Sequence, residues 1–183
     1  MNRRSLLQTA VLGAGIFLLA PTRVHALGGK SPEVGIKAPD FDLPGFSSVN
    51  PSQERWSLTG LQGRWLVVYF YPRDFTSGCT IEAHGFQDAL PAFRKKGAEV
   101  VAISADSVSD HESFCSSEEL KFPLLSDPDG DVSKAYGSWM APYSMRHTFL
   151  IDPESVLRAV WTGVRPVGHA NEVLTRLNEL QAS

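Results

Sequence analysis

The run Trp65-Leu66-Val67-Val68-Tyr69-Phe70-Tyr71 constrains this chain more than any other stretch. It is continuously apolar and rich in β-favouring residues, bounded by Gly63 and Pro72. Such a run cannot leave one face in water, so it predicts a strand covered on both sides. The next segment of the chain supplies a cover. A helical pattern from about Gly78 to Lys96 sets Ile81, Phe86, Leu90 and Phe93 near one face, carries Arg94-Lys95-Lys96 in its last turn and stops at Gly97. Pro91 should kink or divide that helix. Glu99 to Ala105 is a second short strand, and Ser109-x-x-Glu112 predicts a capping box opening a helix to about Leu120, with Cys115 in its second turn. Phe122 to Leu125 is a third strand and Val132 to Ser138 a helical turn. Thr148 to Ile151 with Val156 to Trp161 form a hairpin around Asp152-Pro153, and Val173, Leu174, Leu177 and Leu180 line a closing amphipathic helix.

Strands alternating with helices predict an α/β fold, a mixed sheet with a mostly parallel centre flanked by helices. That order fits a thioredoxin-like layout. With 183 residues, 43% hydrophobic and 20% charged, the composition is that of one globular domain rather than a disordered or fibrous chain. Residues 27–183 carry 14 Lys+Arg against 20 Asp+Glu. An acidic body without a basic cluster is a poor partner for nucleic acid or an anionic membrane. A monomer is expected.

The amino terminus has its own character. Arg3-Arg4 precede an apolar run of 11 residues, Ala10 to Ala20, and Val24-His25-Ala26 offers small residues for a signal peptidase. As a helix the run would rise about 16 Å, well short of the roughly 30 Å hydrocarbon core, so stable membrane insertion is the weaker expectation. The paired arginines before Ser5-Leu6-Leu7 resemble a twin-arginine signal, with a general secretory signal as the alternative. Residues 1–26 are therefore expected to be a signal peptide and residues 27–183 the mature domain, exported to a periplasm or a thylakoid lumen, where a disulfide can persist.

The chemistry is expected between the first strand and its helix, in Tyr71-Pro72-Arg73-Asp74-Phe75-Thr76-Ser77-Gly78-Cys79-Thr80. Cys79 would lie in the first helical turn, capped by Thr76 or Ser77, where free backbone N–H groups and the helix dipole favour a thiolate. The effect is large in general: a thiol titrating near 8.5 is only about 3% thiolate at neutral pH, and one lowered to about 6 is roughly 90%. Gly78 and the polar neighbours Thr76, Ser77 and Thr80 make a poor apolar pocket, which argues against a buried structural cysteine.

Pro72-x-x-x-Thr76-x-x-Cys79 resembles the active-site signature of the peroxiredoxins, and Phe70-Tyr71-Pro72 with Cys79-Thr80 looks most like the bacterioferritin-comigratory, or Q-type, subfamily. The stretch Val34 to Pro44 resembles the family's amino-terminal segment, and Arg146-His147-Thr148-Phe149-Leu150-Ile151-Asp152 resembles the strand bearing its active-site arginine. The similarity covers nearly all of residues 34–182. It implies a thiol-dependent peroxidase acting on hydrogen peroxide or organic hydroperoxides, with a thioredoxin-like reductant and no metal or other cofactor. Cys79 would be the peroxidatic nucleophile and become a sulfenic acid. The Thr76 hydroxyl and the Arg146 guanidinium would hold thiolate, peroxide and the charge developing on the leaving oxygen, and Pro72 would shield the site. Glu82, about one turn beyond Cys79, either orients an arginine or is an exposed helix glutamate.

One departure matters. Many Q-type members carry a second cysteine five residues after the first, where this chain has His84. The other cysteine, Cys115, stands 36 residues downstream, which resembles the resolving position of other members. Its alternative is a small buried core residue. Cys79 and His84 together raise a copper-binding protein of thioredoxin-like fold, but helix positions five apart lie about 140° apart and converge poorly on one ion. A non-catalytic interaction protein would have no reason to keep Thr76, Cys79 and Arg146 together.

Overall fold

The structure, a computed structural model, describes residues 29–182; the expected signal peptide lies outside them. In chain order the elements are β1 (Asp42–Phe46), β2 (Arg55–Ser57), β3 (Trp65–Phe70), α1 (Ser77–Lys95), β4 (Ala98–Ser104), α2 (Val108–Ser117), β5 (Leu124–Ser126), α3 (Asp131–Ala135), β6 (Trp139–Met140), β7 (Tyr143–Ser144), β8 (His147–Ile151), β9 (Leu157–Trp161) and α4 (His169–Ala182). Seven strands form one sheet in the order β2-β1-β5-β4-β3-β8-β9. β3, β4 and β5 run parallel at its centre, and β1, β2, β8 and β9 join antiparallel.

Alternation along β3 feeds two cores. Val67 and Tyr69, with Val100 and Ala102 of β4, face α1, α2 and α4, which contribute Phe86, Phe93, Phe114, Val173 and Leu177. Leu66, Val68 and Phe70, with Val101 and Ile103, face the opposite layer of Phe41, Trp56, Leu58 and Tyr136. Every residue of β3 after Trp65 is buried, as its unbroken apolar run demands. Each such side chain contributes roughly 1.5–3 kcal/mol by leaving water. Among the described residues no helix is long and apolar enough to cross a membrane.

Three expectations are corrected. Pro91 does not divide α1, which runs as one helix of 19 residues. The capping box is formed by Ser107 and Asp110, not by Ser109 and Glu112: the Ser107 hydroxyl oxygen accepts from the Asp110 amide, and the Asp110 carboxylate accepts from the Ser107 amide. α2 therefore begins earlier and ends at Ser117, so Cys115 lies in its last turn rather than its second. The segment Asp42-Leu43-Pro44-Gly45-Phe46 is a strand that its Pro and Gly concealed.

Candidate active site

The turn after β3 leads from the carboxyl end of a parallel strand into the amino terminus of α1. Thr76 is the N-cap residue, with extended backbone, and its carbonyl accepts from the amides of Cys79 (3.0 Å) and Thr80 (2.9 Å). Its hydroxyl makes no capping bond. It donates instead to the carbonyl of Arg73 at 3.0 Å, which tightens the turn. Cys79 thus sits in the first turn of α1, as its position in the sequence implies. Its surroundings differ from expectation. The helix turns Cys79 inward with Glu82, Ala83 and Phe86, so the thiol is 1% exposed and belongs to the core, whereas its polar sequence neighbours Thr76 and Ser77 face solvent. The 3.6-residue period, not the chemistry of adjacent residues, decides what surrounds it.

Arg146 reaches this sulfur from the start of β8, the strand paired with β3. It directly precedes β8, and its carbonyl accepts from the Val164 amide at 2.9 Å, which anchors the backbone on the segment after β9. Nη2 donates to Cys79 Sγ at 3.3 Å, while Nη1 donates to Glu82 Oε2. A Cβ on Gly78 would stand 3.3 Å from Nη2, so the small residue before Cys79 allows the guanidinium its close approach.

Glu82 resolves its two readings in favour of orientation. It is 1% exposed, its other oxygen Oε1 has no hydrogen-bond partner among the described residues, and burial lifts its carboxyl to about 7 against the opposing pull of Arg146. Burial alone would lower the Arg146 guanidinium, but the negative charges of Glu82 and Cys79 outweigh it and raise the pKa. The three groups form one chain, carboxylate, guanidinium and sulfur, buried at both ends and partly open at Arg146.

Pro72 is half-buried beside the buried Tyr71. Cys115 is fully buried, donates its thiol to the Leu120 carbonyl at 3.2 Å, and is pushed up in pKa by burial. Both cysteines are free thiols within the same core cluster. His84 is exposed and lies 2.9 Å from Glu118 Oε2, away from the buried Cys79, so the two do not converge as a ligand pair. A further set escapes sequence reasoning: Asp74 and His111 are both buried and lie 2.8 Å apart, although 37 residues separate them. Its one sequence signal is a histidine sharing a helix face with Phe114 and Cys115 at i, i+3 and i+4.

Residues 34–160 match the AhpC/TSA family. The chain belongs to that family. It is a peroxiredoxin, a thiol-dependent peroxidase, and its relatives place it with the bacterioferritin-comigratory and Q-type members. Peroxiredoxin Bcp of Xanthomonas campestris is 39% identical over 151 residues, which is 78% of this chain and 92% of that one. The structure of the bacterioferritin comigratory protein of X. campestris, solved in work on its alkyl peroxide reduction activity, superposes with a TM-score of 0.73 at 31% identity, covering 81% of this chain and 99% of that one. Two structures of X. campestris peroxiredoxin Q with single cysteine-to-serine substitutions give TM-scores of 0.71 and 0.69 at 34% and 36% identity. They cover 76% and 75% of this chain and 90% and 91% of those.

Proposed function

We propose that this peroxiredoxin reduces peroxides at Cys79 and resolves the product through Cys115 within the same chain. The observation that carries the assignment is the Arg146 guanidinium, held by buried Glu82 and donating to the Cys79 sulfur. In the first step the sulfur attacks the terminal peroxide oxygen, the O–O bond breaks, and the other oxygen leaves as an alcohol, or water, after taking a proton. Charge develops on that leaving oxygen, and a fixed guanidinium beside the sulfur is placed to meet it. Thr76 keeps lone pairs free to accept a peroxide O–H, since its proton is committed to Arg73. Pro72 covers the approach.

In the second step the Cys115 thiolate attacks the sulfenic sulfur, water leaves, and a disulfide forms. A thioredoxin-like dithiol then returns two electrons. Support for the pairing comes from spacing: Cys79 and Cys115 stand 36 residues apart, as do the two cysteines substituted in the X. campestris variants. The substrate range includes alkyl hydroperoxides by analogy with the X. campestris protein. The paired arginines ahead of an apolar run support a site of action outside the cytoplasm, in a periplasm or a thylakoid lumen. The enzyme acts as a monomer.

The test is peroxide consumption with a dithiol reductant. Cys79→Ser should abolish turnover and keep the fold, because serine is nearly isosteric and a far weaker nucleophile at neutral pH. Turnover retained in that variant refutes the assignment.

A further inference from the structure

Between the catalytic turn and α2 lies a buried polar cluster that the chemistry at Cys79 does not use. The Tyr71 hydroxyl donates to Asp74 Oδ1 at 2.6 Å, and His111 Nδ1 donates to Asp74 Oδ2 at 2.8 Å. The Asp74 amide donates to Asp106 Oδ2 at 2.9 Å, an oxygen that also takes the Ser104 hydroxyl at 2.7 Å. The other ring nitrogen of His111 is buried without a partner among the described residues. An unpaired buried nitrogen is a cost, so the gain from placing histidine here lies in Nδ1. The next residue, Phe75, sits in the left-handed region at φ 58, a strained conformation for a non-glycine residue that its surroundings must hold. Its ring, 57% exposed, meets Phe114 of α2 edge-on at 5.1 Å.

α2 therefore grips the turn carrying Thr76 and Cys79 at two points, and does so with the same helix face that bears Cys115. His111, Phe114 and Cys115 are its buried residues. We propose that His111 and Asp74 are positioning residues of this peroxidase: they clasp the catalytic turn onto α2, and the clasp must open before Cys79 reaches Cys115. The proposal rests on Cys115 as the resolving thiol. Neither sulfur is set for the other in the closed state, since Cys79 lies against Arg146 and Cys115 donates to Leu120.

Two fates then compete for the sulfenic acid. Attack by Cys115 with loss of water gives the disulfide, and this requires the turn to be released. Attack of the sulfenate on a second peroxide gives sulfinic acid and a further alcohol or water, and this requires the turn to stay closed beneath Arg146. A firm clasp favours reaction with peroxide and delays resolution.

The experiment titrates the reduced full chain with hydrogen peroxide and reads disulfide and sulfinic fractions by intact mass, with the first step followed by stopped flow. His111→Leu removes the Nδ1 donor. It should raise the disulfide-to-sulfinic ratio about tenfold and slow the first step, the weight expected of one charge-assisted hydrogen bond. His111→Asn, whose amide nitrogen can occupy the place of Nδ1, should restore the wild-type ratio. Phe75→Ala releases the second grip from the exposed side and should shift the ratio the same way even if His111→Leu fails to fold. Leu177→Ala, a destabilising change in α4, should leave the ratio unchanged. The clasp is overturned if Phe75→Ala leaves the ratio at the wild-type value, if His111→Asn behaves as His111→Leu, or if Leu177→Ala shifts it equally. Absence of a Cys79–Cys115 bridge in the wild type would overturn the resolving assignment beneath it.

Discussion

Replacing Glu82 by Gln isolates the electrostatic cost of the catalytic arrangement. Glu82 titrates at about 7 in the folded chain against 4.5 for the free side chain, with burial as the cause. A folded pKa above the unfolded one means that the native state holds its proton more tightly. The stability this group contributes is therefore fully present below about pH 4.5 and is lost as pH rises through about 7. At ~1.4 kcal/mol per unit the whole loss is about 3 kcal/mol, most of it between about pH 5 and pH 8. That is a sizeable share of the 5–15 kcal/mol typical of a native domain. His147 and His169 tilt the other way. Burial lowers both, so their contribution is present above the ordinary imidazole value and lost as pH falls. They are common to wild type and variant and cancel in the comparison. Urea denaturation of the reduced protein and of Glu82→Gln across about pH 5 to 8 measures the difference. The variant should gain on the wild type by about 2–3 kcal/mol over that range, or roughly 5–10 °C in Tm. Parallel stability curves would refute the reasoning, because Glu82 would then not titrate in this window.

Two further outcomes are expected. Arg146→Ala should slow sulfenic acid formation by about 10²-fold, the usual loss on removing one donor to a developing oxyanion, and an unchanged single-turnover rate would take Arg146 out of the site. Replacing Arg3 and Arg4 by Lys should block export if the leader is of twin-arginine type, since that route reads the pair rather than the charge, and a cell fractionation showing normal export would favour the general secretory route.

Much of this fold can be read from local pattern. β3, β4, α1, the β8–β9 hairpin and α4 each carry a period and a boundary signal that tertiary context leaves intact. Asp152 illustrates the hairpin turn: its carboxylate accepts from the amides of Glu154 (3.0 Å) and Val156 (2.8 Å), an arrangement that Asp-Pro announces. The misplaced start of α2 comes from a Ser-rich stretch, Ser107-Val108-Ser109-Asp110-His111-Glu112, that offers two capping boxes two residues apart. The one with glutamate looks better by itself. The one with aspartate is the one that forms, Ser107 and Asp110 each accepting from the other's amide, and the helix it opens buries His111, Phe114 and Cys115. At the site, Cys79 and Arg146 are visible from motifs, but the buried state of Glu82 is visible only from its place at i+3 from Cys79 on the face that Ala83 and Phe86 bury. For the Asp74–His111 contact the sequence shows only that His111 shares a helix face with Phe114 and Cys115; its partner is hidden, because strand order brings the ends of β3 and β4 side by side.

The most direct measurement is a peptide map of the protein after one equivalent of peroxide. We predict one new bridge within the chain, linking the Cys79 and Cys115 peptides. Cys115→Ser should consume the same first equivalent and stall as the sulfenic acid, going on to sulfinic acid with excess peroxide. For this bridge the last turn of α2 and the first turn of α1 must both give way, as helix ends can at modest cost. A Cys79 that stays reduced, a bridge between two chains, or a Cys115 peptide that remains a free thiol while Cys79 is oxidised would contradict it.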